Sequence, residues 1–269
     1  MIIDIQLSPA VEPWESIRDG VVAAEQAGFG TAWVFDHFTG HVLRGHSMLE
    51  CFTLLGAMAA STTTIGLGTL VVNVANRNPG VMAMSAASVQ AISAGRLTLG
   101  LGAGPAPGTA WSWEHRDLGL HVESTLAARH RRLGAALDEL ERLWDPDRAD
   151  DLAGYPMPQP RPPVILGVNS VPLARLAGER TDGINVRWNH EALDELIETA
   201  VEAHDASPRA AHPFDVSVWC PWDETLADPE HPDRQRWHRL GVDRLVLQCG
   251  DGHDVAAIDR VGRRVGSTS

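Results

Sequence analysis

The 269 residues contain no lysine: all 22 basic side chains are arginine, set against 35 Asp and Glu for a net charge of −13. That absence excludes a Schiff-base lysine, a P-loop lysine and a lysine general base. The acidic balance argues against nucleic acid or an anionic membrane as partner, because counterion release needs a concentrated basic surface. Cysteine is scarce as well. Cys51, Cys220 and Cys249 are odd in number and lack metal-ligand spacing, which predicts buried thiols in a reducing compartment and no metal centre. No apolar run approaches the roughly 18 residues of a membrane span. The opening MIIDIQLSP has neither a basic flank nor a small-residue cleavage site, so the expected location is the cytoplasm.

What remains is an ordinary globular composition, 44% hydrophobic and 21% charged, in a chain long enough to bury a sizeable core. Strand-like runs begin at IIDIQL and continue with TAWVFD, TIGLGTLVV, RLTLGLG, PVILGV, GINVRW, FDVSVWC and DRLVLQC. Apolar-periodic segments alternate with them, near 14–27, 48–60, 80–92, 123–144, 171–180, 190–205, 229–239 and 254–264. Eight such units predict a (β/α)8 barrel, with 1–269 as one domain. An open doubly wound sheet is the alternative, although no switch-point motif accompanies it. The Pro- and Asp-rich segment 145–163 is expected to cross the surface between the fourth helical segment and the fifth strand, and it is short.

In such a barrel the chemistry lies just past the carboxyl ends of the strands. The second strand ends VFDHF, placing Asp36 and His37 there. Adjacent residues on a strand face opposite sides, so His37 is expected to face the pocket and Asp36 to be tied into neighbouring groups. The third strand runs into Asn73, Asn76, Arg77 and Asn78 before Pro79 opens a helix. The fourth ends GLGAGPAPG; Pro105 and Pro107 interrupt any dinucleotide fingerprint, and Gly102, Ala103 and Gly104 are expected to let a flat or anionic ligand approach the backbone. After the fifth strand, Gly167, Asn169 and Ser170 precede a helix carrying Pro172, a candidate anion site. Trp111, Trp113, Trp188, Trp219 and Trp222 fall at or near strand ends, which suggests an apolar or aromatic substrate pocket, core packing being their commoner use.

Four blocks carry a family resemblance: AAEQAGFGTAWVFDHF, LLGAMAASTTTIGLGTLVV, NRNPGVMAMSAASVQAISAGRLTLGLGAG and PVILGVNSVPLARLAGERTDGINV. They resemble the luciferase-like monooxygenase superfamily of flavin- and deazaflavin-dependent oxidoreductases, whose fold is a (β/α)8 barrel. The DHF ending is similar to that of the branch using the deazaflavin coenzyme F420. The resemblance implies Asp36 and His37 at the coenzyme ring; with the nearby His41 they are the catalytic candidates. It also implies a non-prolyl cis peptide between Leu70 and Val71 against the ring; Asn73, at the end of the third strand, is a further candidate to bind the cofactor, and a homodimer is expected. The implied reaction is hydride transfer between F420 and a small organic substrate.

Two alternatives stand beside that reading. One is an FMN-dependent monooxygenase fed reduced flavin by a partner reductase; the other is a cofactor-binding barrel without turnover. Sugar-phosphate dehydrogenases of the branch carry a catalytic Glu where this chain has Pro105 and a Trp where it has His41, and they use phosphate-binding lysines. Sugar phosphate is therefore not the expected substrate.

Overall fold

Each apolar run becomes a parallel strand in a computed structural model that describes residues 1–266. The strands are β1 (Ile2–Gln6), β2 (Thr31–Val34), β3 (Gly66–Asn73), β4 (Leu97–Gly102), β5 (Val164–Val168), β6 (Gly183–Arg187), β7 (Asp215–Pro221) and β8 (Arg244–Gln248). They close in sequence order into a barrel, with Ile3 of β1 beside Leu245 of β8, so the open sheet does not form. The expected helical segments are α1 (Trp14–Gln26), α2 (Cys51–Ser61), α3 (Pro79–Ile92), α5 (Leu126–Trp144), α6 (Val171–Arg180), α7 (Leu193–Asp205), α8 (Pro232–Arg239) and α9 (Val255–Gly266). One further helix, α4 (Trp113–Asp117), was not anticipated. None of the described helices is long and apolar enough to cross a membrane.

Strand alternation divides the core in two. Ile3, Ile5, Ala32, Val34, Leu99 and Leu101 pack outward beneath the helices, whereas Trp33, Leu70, Ile165 and Val246 form a separate cluster inside the barrel. Gly68 makes the room for Trp33. A Cβ there would lie 2.3 Å from the indole Cε3.

Below Trp33 the interior turns polar. Asp4, wholly buried on β1, accepts from Trp33 Nε1 at 3.1 Å and from Arg244 of β8 at 2.9 and 3.0 Å. Burial pushes the Asp4 carboxyl above its usual range, and Arg244 offsets this only in part. Arg244 also donates to Thr31 Oγ1, so three neighbouring strands share one polar plug at the closing seam. The 145–163 segment contains no strand; Gln90 Nε2 of α3 donates to Pro160 O and holds it against the barrel.

Candidate active site

The carboxyl ends of all eight strands surround one cleft of about 670 Å³. That is within the range of pockets that enclose coenzyme-sized ligands. His37, Asp36, Leu70, Val71, Asn73, Gly102, Ala103, Gly104, Gly167 and Asn169 all line it. His41 does not. It lies exposed on a 3₁₀ turn, Gly40–Leu43, from which Leu43 alone reaches the cleft.

The floor comes from an irregularity in β3. The ladder with β4 shifts between Thr69 and Val72, and the Leu70–Val71 peptide is cis. Both side chains then line the cleft, and Gln6 Nε2 secures the floor by donating to Leu70 O at 2.7 Å. A Cβ on Gly102 would meet Val71 Cγ2 at 2.6 Å and one on Gly167 would meet Val71 Cγ1 at 3.0 Å, so both glycines of the cleft lining also make room for Val71. Gly104 holds φ +85° with Asn73 Oδ1 2.8 Å from where its Cβ would stand, which again excludes a side chain.

Beyond β2, Asp36 and His37 both border the cleft but make different contacts. Asp36 is 3% exposed, accepts from the Asn73 amide at 2.9 Å, and takes both guanidinium nitrogens of Arg77 at 2.7 Å. Its oxygens are thereby engaged by the Asn73 amide and the Arg77 guanidinium. Arg77 also reaches Glu50 and lies over the Phe52 ring.

His37 faces the cleft and is held from behind by Glu114, on the unanticipated α4. Glu114 Oε1 lies 2.9 Å from His37 Nδ1, and Oε2 accepts from the Phe38 and Thr39 amides at 2.6 and 3.3 Å. Burial works to raise the Glu114 carboxyl, but the bonds from His37 and Phe38 outweigh it and hold the group below its usual range. An ionised carboxylate only accepts, so Nδ1 carries the proton and Nε2 is the ring nitrogen left to accept. Trp111 packs on the ring face, centroids 5.4 Å apart.

The next residue extends the network under the floor. His115 is wholly buried, and burial pushes its imidazole below the usual range. Asn73 Oδ1 is taken by the Ala75 amide, so Asn73 Nδ2 donates to His115 Nε2 at 3.0 Å. Asp36, Asn73, His115 and Glu114 therefore form a continuous support for the His37 side of the cleft.

The rim where α5 begins carries one cation, Arg129, beside His130, whose imidazole burial pushes below its usual range. Arg129 and His130, in the first turns of α5, line the cleft, and His130 Nε2 is buried without a hydrogen-bond partner. Ser170, just outside the lining, precedes α6 with its Oγ buried and unpartnered, so it does not make the ordinary capping bond. Of the five tryptophans singled out, Trp111 and Trp219 line the cleft, whereas Trp222 stacks on Phe29 elsewhere.

The luciferase-like monooxygenase family model matches residues 3–228. The chain belongs to that family. Among curated relatives, an F420-dependent glucose-6-phosphate dehydrogenase of Beutenbergia cavernae is 33% identical over 223 residues, covering 78% of this chain and 63% of the relative. A 5,10-methylenetetrahydromethanopterin reductase of Methanolobus tindarius is 29% identical over 222 residues, covering 81% and 63%. The chain thus spans a little under two thirds of the length of these relatives. In fold, an F420-dependent secondary alcohol dehydrogenase in complex with an F420–acetone adduct superposes with a TM-score of 0.77 at 18% identity, over 100% of this chain and 99% of that one.

Within this luciferase-like barrel, residue reading missed Glu114, Arg129, His130, Arg187 and His190. Gln6 and Gln248 carried a usable signal, since both close strands at the barrel mouth. The short WSWEHRD segment carried none, being too brief for a helical period to show.

Proposed function

We propose that this chain is an F420-dependent oxidoreductase that moves a hydride between the deazaflavin and a small organic substrate. The observation that carries the reading is the His37 side of the cleft: an imidazole oriented by a buried carboxylate, with Nε2 left free beside a flat apolar floor. Support comes from the F420-dependent relatives on which two thirds or more of the chain aligns.

The cleft fits such a coenzyme on its own evidence. Leu70, Val71, Gly102 and Ala103 form an apolar bed for a tricyclic ring, and Asn73 offers a polar edge. Arg129, the orphaned His130 Nε2 and the orphaned Ser170 Oγ would receive a phosphate near the first turns of α5 and α6. When bound, the deazaflavin supplies a hydride from carbon and reacts poorly with dioxygen. His37 Nε2 would take the proton from a substrate hydroxyl, or return it to a carbonyl, as the substrate's hydride leaves or arrives. Pro105, which stands where relatives of one type carry an acid, does not leave the site without a carboxylate, because Glu114 supplies one through a different element.

Anaerobic incubation with F420 and a panel of secondary alcohols tests this directly. Loss of the deazaflavin's visible absorbance with any donor supports the reading. Turnover with reduced FMN and dioxygen alone would favour the monooxygenase. A homodimer belongs to the same proposal: α2 and α3 carry no charged residue, and Val81 and Ile92 stand 48% and 56% exposed. Sedimentation equilibrium is expected to return twice the chain mass.

A further inference from the structure

Next to β5 in the barrel, the β6 wall holds charge that nothing among the described residues answers. Arg187 ends β6 and lines the cleft, its guanidinium carbon 5.5 Å from the centroid of the Trp219 ring. Among the described residues it has no carboxylate partner, in contrast to Arg77, which is held by Asp36 and Glu50. Stacking uses the guanidinium face and leaves its N–H edges unengaged. His190 lines the same wall. Its Nδ1 accepts from the Ala192 amide, which leaves the proton on Nε2 as a second donor. The one carboxylate lining the cleft, Asp36, is already taken by Arg77. In a chain of net charge −13, an unpaired arginine and a spare donor over apolar walls is a specific arrangement.

We propose that Arg187 and His190 form a carboxylate-binding subsite, selecting an organic monoanion whose apolar body lies against Trp219. A single guanidinium matches one carboxylate in charge and in its planar, two-pronged geometry. A phosphate dianion would be only half neutralised there. The assignment of that carboxylate to a substrate rests on the oxidoreductase reading above. The same chemistry has a second source, the acidic tail of the coenzyme, and the test separates the two.

Calorimetric titration with benzoate, and with benzyl alcohol as its uncharged counterpart, is run on three forms: unloaded, loaded with the deazaflavin riboside that lacks phosphate and tail, and loaded with intact F420. Arg187→Met is expected to weaken benzoate binding at least about tenfold in the unloaded and riboside forms while leaving benzyl alcohol unchanged. Arg187→Gln, which keeps a polar side chain, is expected to behave the same way. If intact F420 leaves benzoate binding in place, the carboxylate belongs to the substrate; if it abolishes binding, the tail occupies the subsite. Equal benzoate affinity in wild type and both variants overturns the proposal. Failure of F420 and riboside to bind contradicts the oxidoreductase reading instead, and the unloaded titration still decides the subsite.

Discussion

One nitrogen of His37 is fixed and the other is free, and that asymmetry is the chemical core of the site. Glu114 holds Nδ1 and at the same time satisfies two amides of the following turn. His37→Ala is expected to lower kcat by about 10²-fold or more with F420 affinity nearly unchanged. Glu114→Gln cannot offer two acceptor oxygens, so it is expected to lower kcat at least about tenfold with the same intact affinity, and Glu114→Asp to recover part of the loss. Steady-state kinetics beside fluorescence titration checks both; a loss confined to affinity would show His37 to be architecture. At this scale the sequence disclosed His37 and Asp36, because strand alternation at a barrel mouth leaves two side chains few places to go. It did not disclose why Gly102 and Gly167 are glycines, since that depends on where the β3 irregularity throws Val71.

Among elements, β3 matters most to the site, and its entry is clamped by a carboxylate from α1. Glu25 Oε1 accepts from the Thr63, Thr64 and Ile65 amides at 2.7, 2.6 and 3.0 Å. Burial is the largest single influence and raises its carboxyl, but the bonds from Thr64, Ile65 and Thr63 together prevail and pull it down from its usual 4.5 to about 2. The folded state thus holds this proton less tightly than the unfolded one. The stabilisation is complete above about pH 4.5 and is lost as pH falls towards 2. Because the group is partly exposed, it is worth about 1 kcal/mol after solvent screening. Glu25→Gln is expected to lower Tm at pH 7 and to flatten the loss of stability between pH 5 and pH 2 by about that amount. Calorimetry across that range checks it, and identical pH profiles would contradict the clamp. The regular elements were legible because each spans several turns or alternations. The five-residue α4 was not, although it delivers Glu114, because its place is set by tertiary contacts rather than by a pattern of its own.

On the scale of the molecule, the eight strand-helix units written in the chain were enough to specify closure, and Asp4 with Arg244 secures the seam where β1 meets β8. Asp4→Ala leaves a largely buried guanidinium unpaired and is expected to cost about 3–5 kcal/mol, measured by denaturant unfolding. A loss under about 1 kcal/mol would show the plug to be dispensable. The assignment of this cleft to F420 is a proposal, and the measurement that bears on it most directly is a paired fluorescence titration of the purified protein with F420 and FMN. Micromolar or tighter binding of F420 is predicted, with FMN at least about tenfold weaker, a gap of roughly 1.4 kcal/mol. Tighter binding of FMN would contradict the deazaflavin assignment and make the monooxygenase the better account.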